Sequence, residues 1–171
     1  HKEYRRQRQM CIRDSLNVNL INQENQGLAN ARNAGIKAAS APFIALLDAD
    51  DFWLAHKLST QLALFSGASD PKLGLVYCAY TLIDENSRPI LGNNLIIQPR
   101  LRGDVFSRLQ TGNFISGSGS SVLVRTSVFQ EVGYFDETLV ASEDWDMWLR
   151  IAKEFTFDYV NQVLVQIRVH Q

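Results

Sequence analysis

Two short acidic runs carry the residue types best suited to chemistry. The first, Asp48-Ala49-Asp50-Asp51, follows directly on the apolar run Phe43–Leu47. Three carboxylates so close repel one another, and a cation or a dense donor set makes the arrangement tolerable. Hard oxygen ligands on a short loop suit Mg²⁺ or Mn²⁺, and Mg²⁺ in particular takes one or two carboxylates together with substrate phosphates. An apolar strand ending in such a loop would open on the ligand crevice of an α/β sheet. The competing reading is structural: acids are enriched at helix N-termini, and Asp51 would then cap the following helix. The strand in front favours metal and diphosphate.

The second run is Ser142-Glu143-Asp144-Trp145-Asp146. At about 100° per residue, Met147, Trp148, Ile151, Ala152 and Phe155 fall within about 90° of Asp144, whereas Asp146, Arg150 and Lys153 fall on the opposite half. Asp146 is therefore assigned to solvent. Asp144 is the inward acid on the first helical turn, where unpaired backbone N–H groups stabilise its charge. It could be a general base with a fixed aim, or a terminal cap paired with a basic residue. Arg32 lies between Leu28 and Ile36 on its own helical wheel. A buried guanidinium needs an anionic partner, either the Asp48–Asp51 group or a ligand phosphate.

Single residues add less. His170 could be a metal ligand, a phosphate contact or a surface residue at a strand end. Gly117-Ser118-Gly119-Ser120-Ser121 lacks the lysine of a phosphate-binding P-loop, but could form a tight loop offering N–H groups. Trp53, Trp145 and Trp148 read as core residues, with Trp145 also able to border a sugar site.

Alternating strands and helices must position these groups. Leu16–Ile21 alternates as a short strand, and Leu28–Ala39 is helical up to the stop at Ser40-Ala41-Pro42. Phe43–Leu47 reads as a strand covered on both faces. Leu54, Leu58, Leu62 and Phe65 recur at helical spacing up to Gly67. Leu73–Ile83 is β-rich, and 86–103 reads mostly as loop. A short helix is expected at Asp104–Leu109, a strand at Ser121–Arg125 and a helix at Thr126–Val132, stopped by Gly133. A helix over Glu143–Phe155 and a strand over Tyr159–Val169 close the chain. The order implies an α/β fold with a mostly parallel sheet flanked by helices.

Composition bounds the function. The 171 residues suit one domain, with 46% hydrophobic and 20% charged residues, enough apolar material for a core. A net charge of −1 lacks the dense basic face that nucleic acid requires, so no nucleic-acid partner is expected. No apolar run reaches the roughly 20 residues of a membrane span. Two cysteines, Cys11 and Cys78, make neither a disulfide framework nor a zinc site, which suits a reduced, cytoplasmic setting. Residues 1–15 stand apart: five basic residues against two acidic ones leave −4 on residues 16–171. They could be a basic arm, but a non-native leader is the preferred reading.

Residues 16–171 resemble the family 2 glycosyltransferases through four ordered motifs: NQGLANARNAGI at 25–36, FIALLDADDFW at 43–53, GYFDETLVASEDWDMWLRIA at 133–152 and IRVH at 167–170. The resemblance implies a GT-A-like α/β fold and transfer of a sugar, with inversion, from a nucleotide diphosphate donor, a UDP-sugar above all. By position it implies that Asp48 touches the donor's ribose or sugar and Asp50 binds Mn²⁺ or Mg²⁺, with Gly27 and Arg32 beside the diphosphate. Asp144 would be the base that deprotonates the acceptor hydroxyl, and His170 would reach the metal or diphosphate. Gly117, Ser118, Glu143 and Trp145 would border the acceptor. That acceptor is expected to be a glycan or a lipid-linked sugar for cell-envelope polysaccharide, with peripheral association at the inner membrane face. The Gln-x-x-Arg-Trp motif of processive members is not visible after Asp144.

The family begins with nucleotide-binding strands, and at least one strand–helix unit of roughly 30 residues is expected before Leu16. The chain is thus expected to be N-terminally truncated, a partial domain binding its donor poorly. A non-catalytic nucleotide-sugar-binding module or an inactive fragment is the alternative. A nucleotidyltransferase would want a Gly-rich, Lys-bearing loop near its start.

Overall fold

The computed structural model describes residues 18–90, 96–115 and 119–170. Of the strand expected at 16–21, residues 16 and 17 lie outside this range, and residues 18–21 have no regular structure. Val18, Leu20 and Ile21 are exposed, so their alternation meets no buried face that would reward a pleat.

Helix α1 (Leu28–Ala38) turns Ala29, Arg32, Asn33 and Ile36 inward, a helical stripe. Its N-cap, Gly27, has φ 91° and ψ 172°, a conformation essentially reserved for glycine. There follow β1 (Phe43–Ala45), β2 (Phe52–Trp53), α2 (Lys57–Gly67), β3 (Leu73–Ile83) and β4 (Ile96–Ile97). Helix α3 (Phe106–Leu109) and a 3₁₀ turn at Gly119–Ser121 precede β5 (Leu123–Arg125), α4 (Thr126–Val132), α5 (Glu143–Glu154) and β6 (Thr156–Arg168).

The fold is α/β, but the sheet is mixed rather than mostly parallel. Its order is β1-β5-β3-β6-β2, with β4 also paired to β3. Among the described residues only β3 and β6 run parallel as neighbours; the other strand pairings are antiparallel. Strands β1 and β3 run the same way, yet β5 inserts between them and opposes both. Element order predicts a crossover but does not reveal a later strand entering the gap. Strand β1 is also less covered than its composition suggests: Ile44 and Leu46 are buried, while Leu47 is 48% exposed.

Helices cover both faces of the sheet. On one, Leu75, Tyr77 and Val124 pack with Ile36 of α1, Phe129 of α4 and Met147, Trp148 and Ile151 of α5. On the other, Val76 and Leu123 meet Phe65 of α2. Gly74 permits the close approach of the chain after α5: a Cβ there would lie 2.8 Å from Phe155 Cβ and 2.9 Å from its Cγ. Gly74→Ala is therefore expected to destabilise the fold by about 1–3 kcal/mol through overpacking, a fall of roughly 2–12 °C in Tm for a domain of this size. Thermal unfolding checks this, and adding Phe155→Ala should return part of the loss attributable to the clash.

Candidate active site

The pairing of β2 with β6 brings the acidic loop to the chain's end. Phe52 lies opposite Gln166 and Trp53 opposite Val165, antiparallel, so residues before β2 run alongside residues after Gln166. Asp50 Oδ2 consequently lies 2.7 Å from His170 Nε2. Asp51 is buried and held on both oxygens: Oδ1 accepts the Arg168 backbone N–H at 3.0 Å, and Oδ2 accepts the Ser120 hydroxyl at 2.6 Å. Ser120 Oγ in turn accepts the Asp48 N–H at 3.0 Å. Asp51 thus caps no helix, because β2 intervenes and α2 begins only at Lys57. The Arg168 guanidinium donates to the carbonyls of Asp50, Asp84 and Glu85 and to Ser87 Oγ, fixing the turn after β3 beside the loop.

Helix α1 supplies the link to the second acidic run. Arg32 Nη2 donates to both Asp48 oxygens at 3.0 and 3.2 Å, and Nη1 donates to Glu143 Oε1 at 2.9 Å. Its side chain is 7% exposed. Asn33, one residue on, donates to the Phe135 carbonyl and Glu137 and accepts the Phe135 N–H. Asn30 donates to the other oxygen of Glu137. Alongside α1 and β1 runs an open groove of about 750 Å³, bordered by Leu28, Arg32, Ile36, Leu46, Asp48 and Asp50.

Asp144 occupies the first turn of α5 on the face that buries Met147, Trp148 and Ile151. Its Oδ1 accepts the Trp145 N–H at 2.7 Å, and the Asn113 amide approaches Oδ2 at 3.5 Å. Burial, with a smaller push from the neighbouring Glu143 charge, raises its pKa above the usual carboxylate range, against the Trp145 N–H and Arg32. Asp50 moves the other way: its hydrogen bond to His170 holds it below the ordinary value, opposed by partial burial.

The four sequence motifs therefore meet. Arg32 joins the first to the second and third, and Asp50 and Asp51 join the second to the fourth. Within this cluster Arg32 binds Asp48 and Glu143, and Asp50 binds His170; Ser120 and Asp51 link the two sets through the Asp48 and Arg168 N–H groups, and Asp144 follows Glu143. The remaining expected positions differ. Gly27 is exposed and acts through its backbone conformation. Trp145 donates its indole N–H to the Leu109 carbonyl at 2.8 Å and packs against the core. Glu143 is taken up by Arg32, and Asp146, assigned to solvent on the half of the helix that also carries Arg150, is part-exposed there and pairs with Arg150 at 2.8 Å. Gly117 and Ser118 lie outside the described residues. Sequence reasoning names Ser120 only within a loop offering N–H groups and Arg168 only within the terminal motif, and it reads Asp51 as one of three clustered carboxylates or as a helix cap; the bonds that join these three residues are not foreseen. Their bonds span 69 and 117 positions, so only the Arg-x-His spacing at the chain's end hinted at them.

Among the described residues, no group of three or more His, Cys, Asp or Glu side chains is gathered around a metal-sized space. Asp50 and His170 offer one carboxylate oxygen and one imidazole nitrogen side by side. That donor set fits a divalent ion completing its shell with diphosphate oxygens and water. No described helix is long and apolar enough to cross a membrane.

The family model described as glycosyltransferase like family 2 matches residues 9–170. An uncharacterized glycosyltransferase of Rickettsia prowazekii is 28% identical over 151 residues, covering 86% of this chain and 46% of the relative. The Escherichia coli enzyme WfgD, a UDP-Glc:alpha-D-GlcNAc-diphosphoundecaprenol beta-1,3-glucosyltransferase, is 29% identical over 142 residues, covering 83% of this chain and 51% of that protein. The chain thus spans about half the length of these two relatives. The crystal structure of Staphylococcus aureus TarS 1–349 in complex with UDP superposes with a TM-score of 0.70 at 18% identity, covering 95% of this chain and 47% of that one. The likeness to TarS shows a GT-A-like α/β fold. With that fold, and with a family match over nearly its full length, the chain belongs to the glycosyltransferase-like family 2.

Proposed function

We propose that this chain carries the catalytic residues of an inverting glycosyltransferase that moves a sugar from a nucleotide diphosphate donor to an acceptor hydroxyl. The observation that carries the reading is the Arg32 bridge: one buried guanidinium binds Asp48 on one side and Glu143 on the other. The donor-side acids and the inward Asp144 thereby belong to one site. In this reading Asp48 contacts the donor's ribose or sugar, and Asp50 with His170 holds a divalent ion. That ion, when bound, supplies positive charge that neutralises the departing diphosphate. Asp144 accepts the acceptor's hydroxyl proton as the oxygen attacks the anomeric carbon opposite the leaving group, and direct displacement inverts the centre. Arg32 turns Nη2 to Asp48 and Nη1 to Glu143, and in this reading it acts on the donor through the placement of Asp48.

The UDP in the TarS complex and the UDP-Glc donor in the name of WfgD support a UDP-sugar here. The diphosphoundecaprenol-linked sugar named for WfgD supports a lipid-linked acceptor, and with it action at the cytoplasmic membrane face.

Calorimetric titration with UDP, with and without Mn²⁺, tests the donor half. Mn²⁺ is expected to tighten UDP binding about tenfold or more, and Asp50→Ala or His170→Ala should remove most of that gain. The readout is the metal dependence, not the absolute affinity. Equal UDP binding with and without Mn²⁺ would sink the metal role. Metal-dependent binding with no nucleotide released from any of a panel of UDP-, GDP- and dTDP-sugars would leave a binding module instead.

A further inference from the structure

The segment after the acidic loop carries three side-chain donors at four-residue spacing: Trp53 at the end of β2, and Lys57 and Gln61 in α2. They address three consecutive carbonyls. Trp53 Nε1 donates to Ser120 O at 2.9 Å, Gln61 Nε2 to Ser121 O at 2.9 Å and Lys57 Nζ to Val122 O at 3.2 Å. Gln61 Oε1 accepts a second bond from Lys57 at 2.8 Å, Gln61 Nε2 also reaches Val76 O at 3.0 Å, and the Cys78 thiol adds to Ser121 O at 3.4 Å.

Filling a core this way is energetically unfavourable. Lys57 is 2% exposed and Gln61 0%. The ammonium has two neutral acceptors and the Trp53 ring 4.6 Å away, and among the described residues no carboxylate pairs with it. Burial pushes its pKa down to about 8. Apolar side chains of the same volume would pack without that desolvation. What the polar set achieves is orientation. With its carbonyls held, the turn Gly119–Ser121 presents the Ser120 hydroxyl to the Asp48 N–H and to Asp51, which in turn holds the Arg168 N–H two residues before His170.

We infer that Trp53, Lys57 and Gln61 are positioning residues: by clamping the turn Gly119–Ser121 they set, through Ser120, the backbone of the Asp48–Asp51 loop and its placement against His170. This rests on the donor-site reading above. A set of bonds that only satisfied buried carbonyls would stabilise the whole molecule evenly, whereas a clamp protects the loop in particular.

Amide hydrogen exchange followed by NMR on the full chain separates these. In Lys57→Met, and in the milder Trp53→Phe, exchange of the Asp48 and Arg168 amides is expected to accelerate about tenfold or more, with the β3 amides of Leu75–Tyr77 within about twofold of the parent. Below the unfolding transition, the same variants should weaken Mn²⁺-dependent UDP binding about fivefold or more. Unchanged protection at Asp48 overturns the clamp, as does a loss shared equally by β3. Selective loosening of the loop with UDP affinity unchanged overturns the positioning role. A parent chain without Mn²⁺-dependent UDP binding counts against the donor-site reading alone, because exchange still decides the clamp.

Discussion

Replacing Asp144 with Asn is expected to lower the rate of sugar transfer about 10²–10⁴-fold, the usual contribution of a positioned base, with UDP affinity nearly unchanged. Asn keeps the shape and the acceptor for the Trp145 N–H, so the change removes the basicity and, besides it, only the long 3.5 Å contact that Asn113 donates to Oδ2. The pH profile offers an independent readout. A base must be ionised, and burial holds Asp144 above the usual carboxylate range, so the parent's rate should fall as pH drops through that raised value. The residual activity of the Asn variant should lack this limb. Stability should move the opposite way. With its folded pKa raised, Asp144 binds its proton more tightly folded than unfolded, so its ionised form weakens the fold at pH values above both constants. That penalty lifts as pH falls from the raised value to the ordinary one, and in the Asn variant it is absent throughout. At pH 7 the variant's Tm should therefore equal or exceed the parent's. A variant transferring sugar at the parental rate would remove Asp144 from the base role.

Arg32→Met should produce the largest loss of stability at the site, about 3 kcal/mol, or roughly 6–12 °C in Tm. The guanidinium, stacked 5.4 Å above the Phe135 ring, compensates two carboxylates whose side chains are only 24% and 15% exposed. Removing it strands both in a poorly hydrated place, which costs more than the pair itself contributes. Arg32→Lys should restore less than half of the loss, because one ammonium cannot present a planar fork to Asp48 while also reaching Glu143. The Asn33 and Asn30 bonds to residues 135–137 survive either change, so the damage should centre on the acidic loop and the start of α5. Denaturant unfolding measures the difference, and an unchanged midpoint would show that the bridge contributes nothing.

Much of the molecule is legible residue by residue. Strand β3 and helix α4 match their expected limits, and α1, α5 and β6 come within a few residues: the helices have a periodic apolar face, and β3 is a continuous β-rich apolar run that ends up buried on both faces. The inward aim of Asp144 and Arg32 follows from the same periodicity. Strands β2 and β4, two residues each, are too short to carry a period and exist only because a neighbouring edge pairs with them.

The sequence by itself determined the chemistry available: carboxylates behind an apolar strand, an inward acid opening a helix, a buried guanidinium, and four motifs in family order. Only the tertiary structure decided the partners, among them that Arg32 spends both nitrogens on Asp48 and Glu143, and that Asp51 locks Ser120 to Arg168 instead of capping a helix. It also decided that β5 enters between β1 and β3, making the sheet mixed. Periodicity is a local property that a few turns of chain can specify, whereas these pairings join residues from 16 to 117 positions apart. Many partners could satisfy each group, and the choice among them is made only when the whole core closes.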